Sequence, residues 1–351
     1  MDDDEAMGRA LKAASSVRRS TSPNPWVGAV VETPGGALHV GATEPPGGAH
    51  AEMVALRAAG GSARGGTLWC TLEPCSHQGR TWPCADAIID AGMVRVVVGL
   101  VDPDPLVAGE GLARLRGAGI EVIEGVRSPE VEDQLAPYLR HRRTGRPWVV
   151  LKLAASLDGR TAAPDGSSRW ITGPEARADA HRLRAESDAI VVGAGTVRAD
   201  DPALTVRDGA AAGEKEPLRV VLGHAPPGAR VQPALEHHGP VADLLEELGR
   251  RGVLQVLFEG GATVAGEIHR AGLVDRYVVY LAPVLFGGDD GNPLLAGPGA
   301  GTIDDVWRGR ITATTRLGPD LRLDLEPVAG TSPVPASQGA GSRVGSDRGA
   351  G

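Results

Sequence analysis

Short β-branched runs alternate with helical periodicities along the first 146 residues. WVGAVV (26–31), TLWCTL (67–72), VRVVVGL (94–100) and IEVI (120–123) are bounded by turn-forming residues and predict strands. Between them, 50–59, 84–91 and 107–118 space their apolar positions three and four apart, as helices do. A further helical pattern over 129–143 breaks at Gly145 and Pro147, and VVLKLA (149–154) restarts the alternation. A domain boundary is therefore expected near 144–147.

The second half repeats the scheme. A helix is predicted over 174–186, with Pro174 in its first turn and Thr172 and Glu175 at capping-box spacing. Strands are predicted at 188–193, 218–222, 253–258, 275–282 and 321–326, and helices at 241–251 and 263–271. Strands alternating with helices predict an α/β protein with helices packed over its sheets. Outside its helix, the 223–252 segment shows no strand pattern, so a sheet strand is expected to be missing there. Residues 330–351 are rich in Gly, Ser, Pro and Ala without apolar periodicity and read as a disordered tail. The expected division is 1–146, 147–329 (shortened at 223–252) and the tail.

Composition removes several classes of function. The 351 residues carry a formal charge of −8, and neither half is basic, which argues against nucleic acid as the main partner. No apolar run approaches the roughly 18 residues a membrane span needs. The acidic start, MDDDEAMGRALKAASSVRR, lacks the apolar stretch of a secretory signal, so a cytoplasmic location is expected. Aromatics make up only 3%, so the cores must be built from aliphatic side chains.

Three cysteines, Cys70, Cys75 and Cys84, lie within fifteen residues. An odd count in an intracellular chain points to metal binding or catalysis rather than to disulfides. Cys70, inside a strand pattern, reads as inert packing. The other two join His50-Ala51-Glu52 in a constellation that suits Zn²⁺: one imidazole, two thiolates and a fourth position left for water. Each ligand is expected at a helix start, where thiolate is favoured over thiol. Glu52, two residues past His50, is expected on a different side of the helix, facing the bound water as a proton shuttle. This matches the zinc-dependent base deaminases, except that their C-x-x-C is here a longer C-x₈-C. A closed structural zinc site, with Cys70 or His77 as fourth ligand, or no metal at all, is the competing reading.

Longer motifs then carry a resemblance. TSPNPWVGAVV (21–31), GGAHAE (47–52), TLEPCSHQGRTWPC (71–84) and AGMVRVVVGLVDPDP (91–105) closely resemble the deaminase half of the bifunctional riboflavin-biosynthesis deaminase/reductases. KLAASLDGRTA (152–162), SSRWITGPEAR (167–177), DAIVVGAGTVRADDPALTVR (188–207) and FEGGATVAG (258–266) resemble the reductase half. The resemblance implies a cytidine-deaminase-like three-layer domain followed by a dihydrofolate-reductase-like α/β domain. It implies Zn²⁺ and NADPH as cofactors and a diaminopyrimidinone carrying a ribosylamino phosphate as substrate. The pyrimidinone is deaminated to a uracil, and the ribosyl chain is then reduced to ribityl.

Residue by residue, the resemblance implies that His50, Cys75 and Cys84 bind zinc and that Glu52 is the acid/base. Asn24, Ser76 and His77 would contact the deaminase substrate. Ala154, Trp170, Thr196, Asp200 and the segment Gly261, Ala262, Thr263, Val264, Ala265, Gly266 and Glu267 would line the NADPH site. Lys152, Ser168, Arg184, Leu204, Arg207 and Glu259 would meet the reductase substrate, the two arginines as clamps on its phosphate. Val191 to Thr196 and Phe258 to Gly261 read by themselves as glycine turns after strands, though Arg198 stands where a third dinucleotide-fingerprint glycine should be. Thr43 and Ala49 replace a His and a Pro usual in the family. Two alternatives use the same residues: a deaminase with a degenerate reductase-like scaffold, and a non-catalytic zinc-stabilised binding protein. The expected partner is a small phosphorylated pyrimidine, with no nucleic acid or membrane, and homo-oligomer formation is left open.

Overall fold

The computed structural model describes residues 1–76, 82–104, 107–206 and 216–328; the tail expected at 330–351 lies outside them. The N-terminal elements are α1 (Asp3–Val17), β1 (Gly28–Glu32), β2 (Leu38–Ala42), α2 (Ala51–Ala59), β3 (Thr67–Leu72), α3 (Cys84–Asp90), β4 (Arg95–Leu100), α4 (Glu110–Gly117), β5 (Glu121–Glu124) and α5 (Ser128–Thr144). There follow β6 (Trp148–Ser156), β7 (Arg160–Ala162), α6 (Pro174–Ala185), β8 (Ala189–Gly193), α7 (Ala194–Asp200), β9 (Leu218–Leu222), β10 (Leu235–His237), α8 (Val241–Arg250), β11 (Gln255–Phe258), α9 (Ala262–Arg270), β12 (Arg276–Ala282), β13 (Asn292–Pro293), β14 (Gly309–Leu317) and β15 (Asp320–Pro327).

Two compact units form. The first comprises Met1–Val150 with Arg177–Glu259, and the second Leu151–Ala176 with the chain from Gly260 onward. The first unit holds a five-stranded sheet in the order β2-β1-β3-β4-β5. There β1 runs antiparallel to β2 and β3, while β3, β4 and β5 are parallel. Five of the six β3 residues are buried, as expected of a strand covered on both faces. The same unit holds β10-β9-β8-β11, parallel throughout. In the second unit β12 pairs antiparallel with β15, and β15 with β14.

The acidic N-terminus is a helix start that a reading of charge alone missed. Asp2 caps α1, its carboxylate accepting the Glu5 N–H at 2.7 Å. Ala6, Met7, Ala10 and Ala14 form the buried stripe of α1. Gly28 lets it approach β1, since a Cβ there would sit 1.9 Å from the Ala10 carbonyl oxygen. Gly41 does the same for α2: a Cβ would lie 2.2 Å from the Ala51 oxygen. The second contact seats the residues that begin α2.

Segment 223–252 corrects the expectation of a missing strand. Leu235–His237 pairs in parallel with β9, Leu235 opposite Val220 and His237 opposite Leu222. Three residues with one aliphatic side chain are too short to show an alternation. Other elements unmarked in the pattern are β2, β7, α7, the two-residue β13, and β14, whose residues are nearly all exposed. Helix α6 starts at Pro174, so Gly173, not Thr172, precedes it.

Candidate functional sites

The turn after β3, the start of α2 and the start of α3 bring three donors together. His50 Nδ1 lies 3.5 Å from Cys75 Sγ and 3.3 Å from Cys84 Sγ. The ligand atoms of His50, Cys75 and Cys84 all fall within 4.8 Å of one another. Tetrahedral zinc, with bonds of about 2.3 Å to sulfur and 2.0–2.1 Å to nitrogen, separates such a pair by about 3.5 Å. The donor set and its spacing fit that ion. Cys70 stands apart from the group, buried on β3 with its thiol 3.9 Å from the Val97 oxygen. Burial raises that thiol's pKa, which keeps it protonated and inert.

Each donor is prepared by its backbone. Cys84 is the first residue of α3, after Pro83. Cys75 is not at a helix start, contrary to expectation; it accepts the free first-turn N–H of Cys84 at 3.4 Å. Hydrogen bonds from the Cys84 thiol and from His50 hold Cys75 as thiolate, down at about 4. The same sharing raises Cys84 well above the ordinary thiol range, helped by burial. The bond to Cys75 pushes His50 up to about 9.

His50 precedes α2 with extended backbone, φ −74° and ψ 160°, and so does not follow the helical spacing. His50 and Glu52 therefore converge rather than diverge, close enough for the charge of each to act on the other. Glu52 is 3% exposed, and this burial raises its carboxyl to about 7. Ser76, half-buried, opens onto a cleft of about 490 Å³ with Trp82, Pro83, Asp86 and Arg114. Asn24 sits in a turn, its N–H bonded to the Thr21 oxygen at 2.8 Å, and is not hydrogen-bonded to the three donors. His77 lies outside the described residues. Thr43 is buried, with its hydroxyl accepting the Val27 N–H at 3.1 Å, and Ala49 donates to Glu44 Oε2 at 2.7 Å. The second bond needs an N–H that proline lacks.

The residues expected to serve reduction fall in both units. In the first, Arg184 on α6 donates Nε to Glu259 Oε1 at 2.6 Å and Nη2 to Glu259 Oε2 at 2.7 Å. The resemblance implies a phosphate clamp at Arg184; its guanidinium is ion-paired to Glu259 and largely buried. Thr196 and Asp200 lie one turn apart on α7, which begins directly after β8, so the expected glycine turn is a strand–helix junction with Gly193 as N-cap. Leu204 is 2% exposed with φ +49°. Arg207 lies outside the described residues.

In the second unit, Lys152 and Ala154 share one half-buried face of β6. The Lys152 ammonium stands 5.9 Å from the Tyr280 ring centroid. Ser168 is half-buried and Trp170 exposed. Gly261 caps α9, so Ala262 to Glu267 form its first turns rather than a loop. Ala265 and Gly266 point into the packing, whereas Gly261, Ala262, Thr263, Val264 and Glu267 reach the surface at least in part.

The chain shares both halves with known proteins. The family described as the RibD C-terminal domain matches residues 147–323. The cytidine and deoxycytidylate deaminase zinc-binding region matches residues 1–100. The riboflavin biosynthesis protein RibD of Mycobacterium tuberculosis is 46% identical over 336 residues, covering 92% of this chain and 96% of that protein. The structure of Acinetobacter baumannii RibD superposes with a TM-score of 0.87 at 36% identity, over 93% of this chain and 99% of the other. A Thermotoga maritima structure, described as a diaminohydroxyphosphoribosylaminopyrimidine deaminase/5-amino-6-(5-phosphoribosylamino)uracil reductase, gives a TM-score of 0.82 at 31% identity. It covers 93% of this chain and 98% of that one.

Proposed function

The chain belongs to the RibD family of riboflavin biosynthesis proteins, and we propose that it performs both reactions for which its Thermotoga maritima relative is named. The first is hydrolytic deamination of the diaminopyrimidinone ribosylamino phosphate. The second is NADPH-dependent reduction of the ribosyl chain to ribityl. The observation that carries the proposal is the convergence of His50, Cys75 and Cys84 beside the buried Glu52. We assign deamination to 1–146 and reduction to 147–329. No helix among the described residues is long and apolar enough to cross a membrane, and a cytoplasmic location is part of the proposal.

In the deaminase, His50, Cys75 and Cys84 would hold Zn²⁺, which when bound lowers the pKa of a water toward ~7. Glu52 takes the proton of the attacking water on its carboxylate. It passes that proton to the ring nitrogen as the carbon–oxygen bond forms, then carries the second proton, from the hydroxyl now on the ring carbon, to the amine that leaves as ammonia when the carbon–nitrogen bond breaks. Ser76 and Asn24 would orient the ring. In the reductase, the partly exposed first turn of α9 places a helix N-terminus where a phosphate-bearing dinucleotide would be favoured. Lys152 and Asp200 would help position the substrate for hydride transfer.

Incubating the protein with the diaminopyrimidinone phosphate, with and without NADPH, and reading products by mass tests the proposal. Ammonia release without NADPH and a ribityl product only with it are expected. Ammonia release with no NADPH oxidation would leave the second domain a scaffold. Neither reaction would leave a zinc-stabilised binding protein.

The ligand assignment has its own check. Cys70→Ala is expected to keep one zinc per chain, and Cys84→Ala to lose it. Comparable loss from both variants in metal analysis refutes the three-ligand site.

A further inference from the structure

Glu73 stands two residues before Cys75, is 4% exposed, and has no part in the reaction described above. Its carboxylate is filled by main-chain donors from a segment some thirty residues away. Oε2 accepts Asp102 N–H at 3.2 Å and Gly109 N–H at 2.9 Å. Oε1 accepts Gly111 N–H at 2.9 Å and Leu112 N–H at 3.4 Å. Gly109 is the N-cap of α4, so a carboxylate from another part of the chain caps that helix and meets the positive end of its dipole. The main chain of the same turn is pressed onto the same helix end: a Cβ at Gly111 would lie 2.0 Å from the Pro74 oxygen. Glu73 N–H is tied to the Leu100 oxygen at 2.9 Å. The turn that presents Cys75 is thus hydrogen-bonded through the Glu73 side chain and amide, with the Pro74 carbonyl packed against the same helix end.

We propose that Glu73 is a positioning residue for the metal site, fixing Cys75 Sγ relative to His50 and Cys84 by anchoring the 73–75 turn on the N-terminus of α4. The inference rests on Cys75 being a metal ligand. Glutamine at 73 turns one acceptor into an NH₂ group facing amide donors. Aspartate keeps both acceptors on a shorter arm and draws the turn toward α4.

The test uses the full chain loaded with Co²⁺, whose thiolate charge-transfer absorption reports the cysteine geometry directly, together with competitive zinc titration. Glu73→Gln and Glu73→Asp are expected to weaken zinc binding by roughly 10- to 100-fold, the scale for residues that orient ligands, and to change the cobalt spectrum. NADPH oxidation by the reductase should be retained. Should the glutamine variant fail to fold, the aspartate variant carries the test. Tyr138→Phe serves as control, because Tyr138 hydrogen-bonds Asp102 Oδ2 at 3.0 Å on the same segment without touching Glu73. It should leave the spectrum unchanged. Wild-type zinc affinity and spectrum in both Glu73 variants, or an equal spectral change in Tyr138→Phe, overturns the proposal. Absence of cobalt binding by the wild-type chain instead overturns the metal site itself.

Discussion

Glu52→Gln is expected to bind one zinc, melt at or above the wild-type temperature, and release ammonia at least about 100-fold more slowly, the scale of a positioned acid/base. The carboxyl is 3% exposed. The amide fills the same space, so neither the packing nor the three donors lose a contact. The substitution also removes the cost of burying an ionisable group, which is why no loss of stability is expected. What the amide cannot do is carry a proton from the attacking water to the leaving nitrogen. A 100-fold loss corresponds to about 2.7 kcal/mol of barrier, at about 1.36 kcal/mol per tenfold. Metal analysis and ammonia release measured on one preparation decide it. Near-normal turnover by the zinc-loaded variant would remove Glu52 from the mechanism.

Glu259→Ala is expected to destabilise its unit by about 3–5 kcal/mol, because it leaves the Arg184 guanidinium buried without its carboxylate. The pair is two-pronged, with bonds of 2.6 and 2.7 Å, and its side chains are 7% and 19% exposed for Glu259 and Arg184. The remaining contact of Arg184 Nη1, to the Thr205 oxygen, is long at 3.4 Å and neutral. Arg184→Met with Glu259→Leu should recover most of the loss, since removing both charges leaves none unpaired. Urea unfolding of Arg184→Met, Glu259→Leu and the double variant measures the coupling. Additive losses would show that the ion pair contributes nothing beyond its separate side chains. The same geometry bears on function, because both prongs of the Arg184 fork are engaged by Glu259.

Residue type and local spacing were enough to single out His50, Cys75 and Cys84, whose donor atoms the fold brings within 4.8 Å, and to set Cys70 aside. Ligand chemistry depends on which atoms a short motif offers, and strand burial of Cys70 follows from its aliphatic neighbours. Periodicity likewise marked most of the strands and amphipathic helices, α8 among them, since both arise from an apolar face repeated over several residues. Helix α1 was missed, because the acidic start was read for its charge and not for the cap that Asp2 provides.

Tertiary structure decided what depends on partners remote in the chain. His50 and Glu52 converge because His50 is an extended cap rather than a helical residue. Strand β10 exists because β9 offers it a parallel edge, which its own three residues do not announce. Arg184 becomes a buried partner only when β11 delivers Glu259 from 75 positions away. Glu73 gains its role from four backbone N–H groups supplied by residues 102–112. Backbone donors carry no side-chain signature, so a sequence states that a carboxylate is present but not what will fill it.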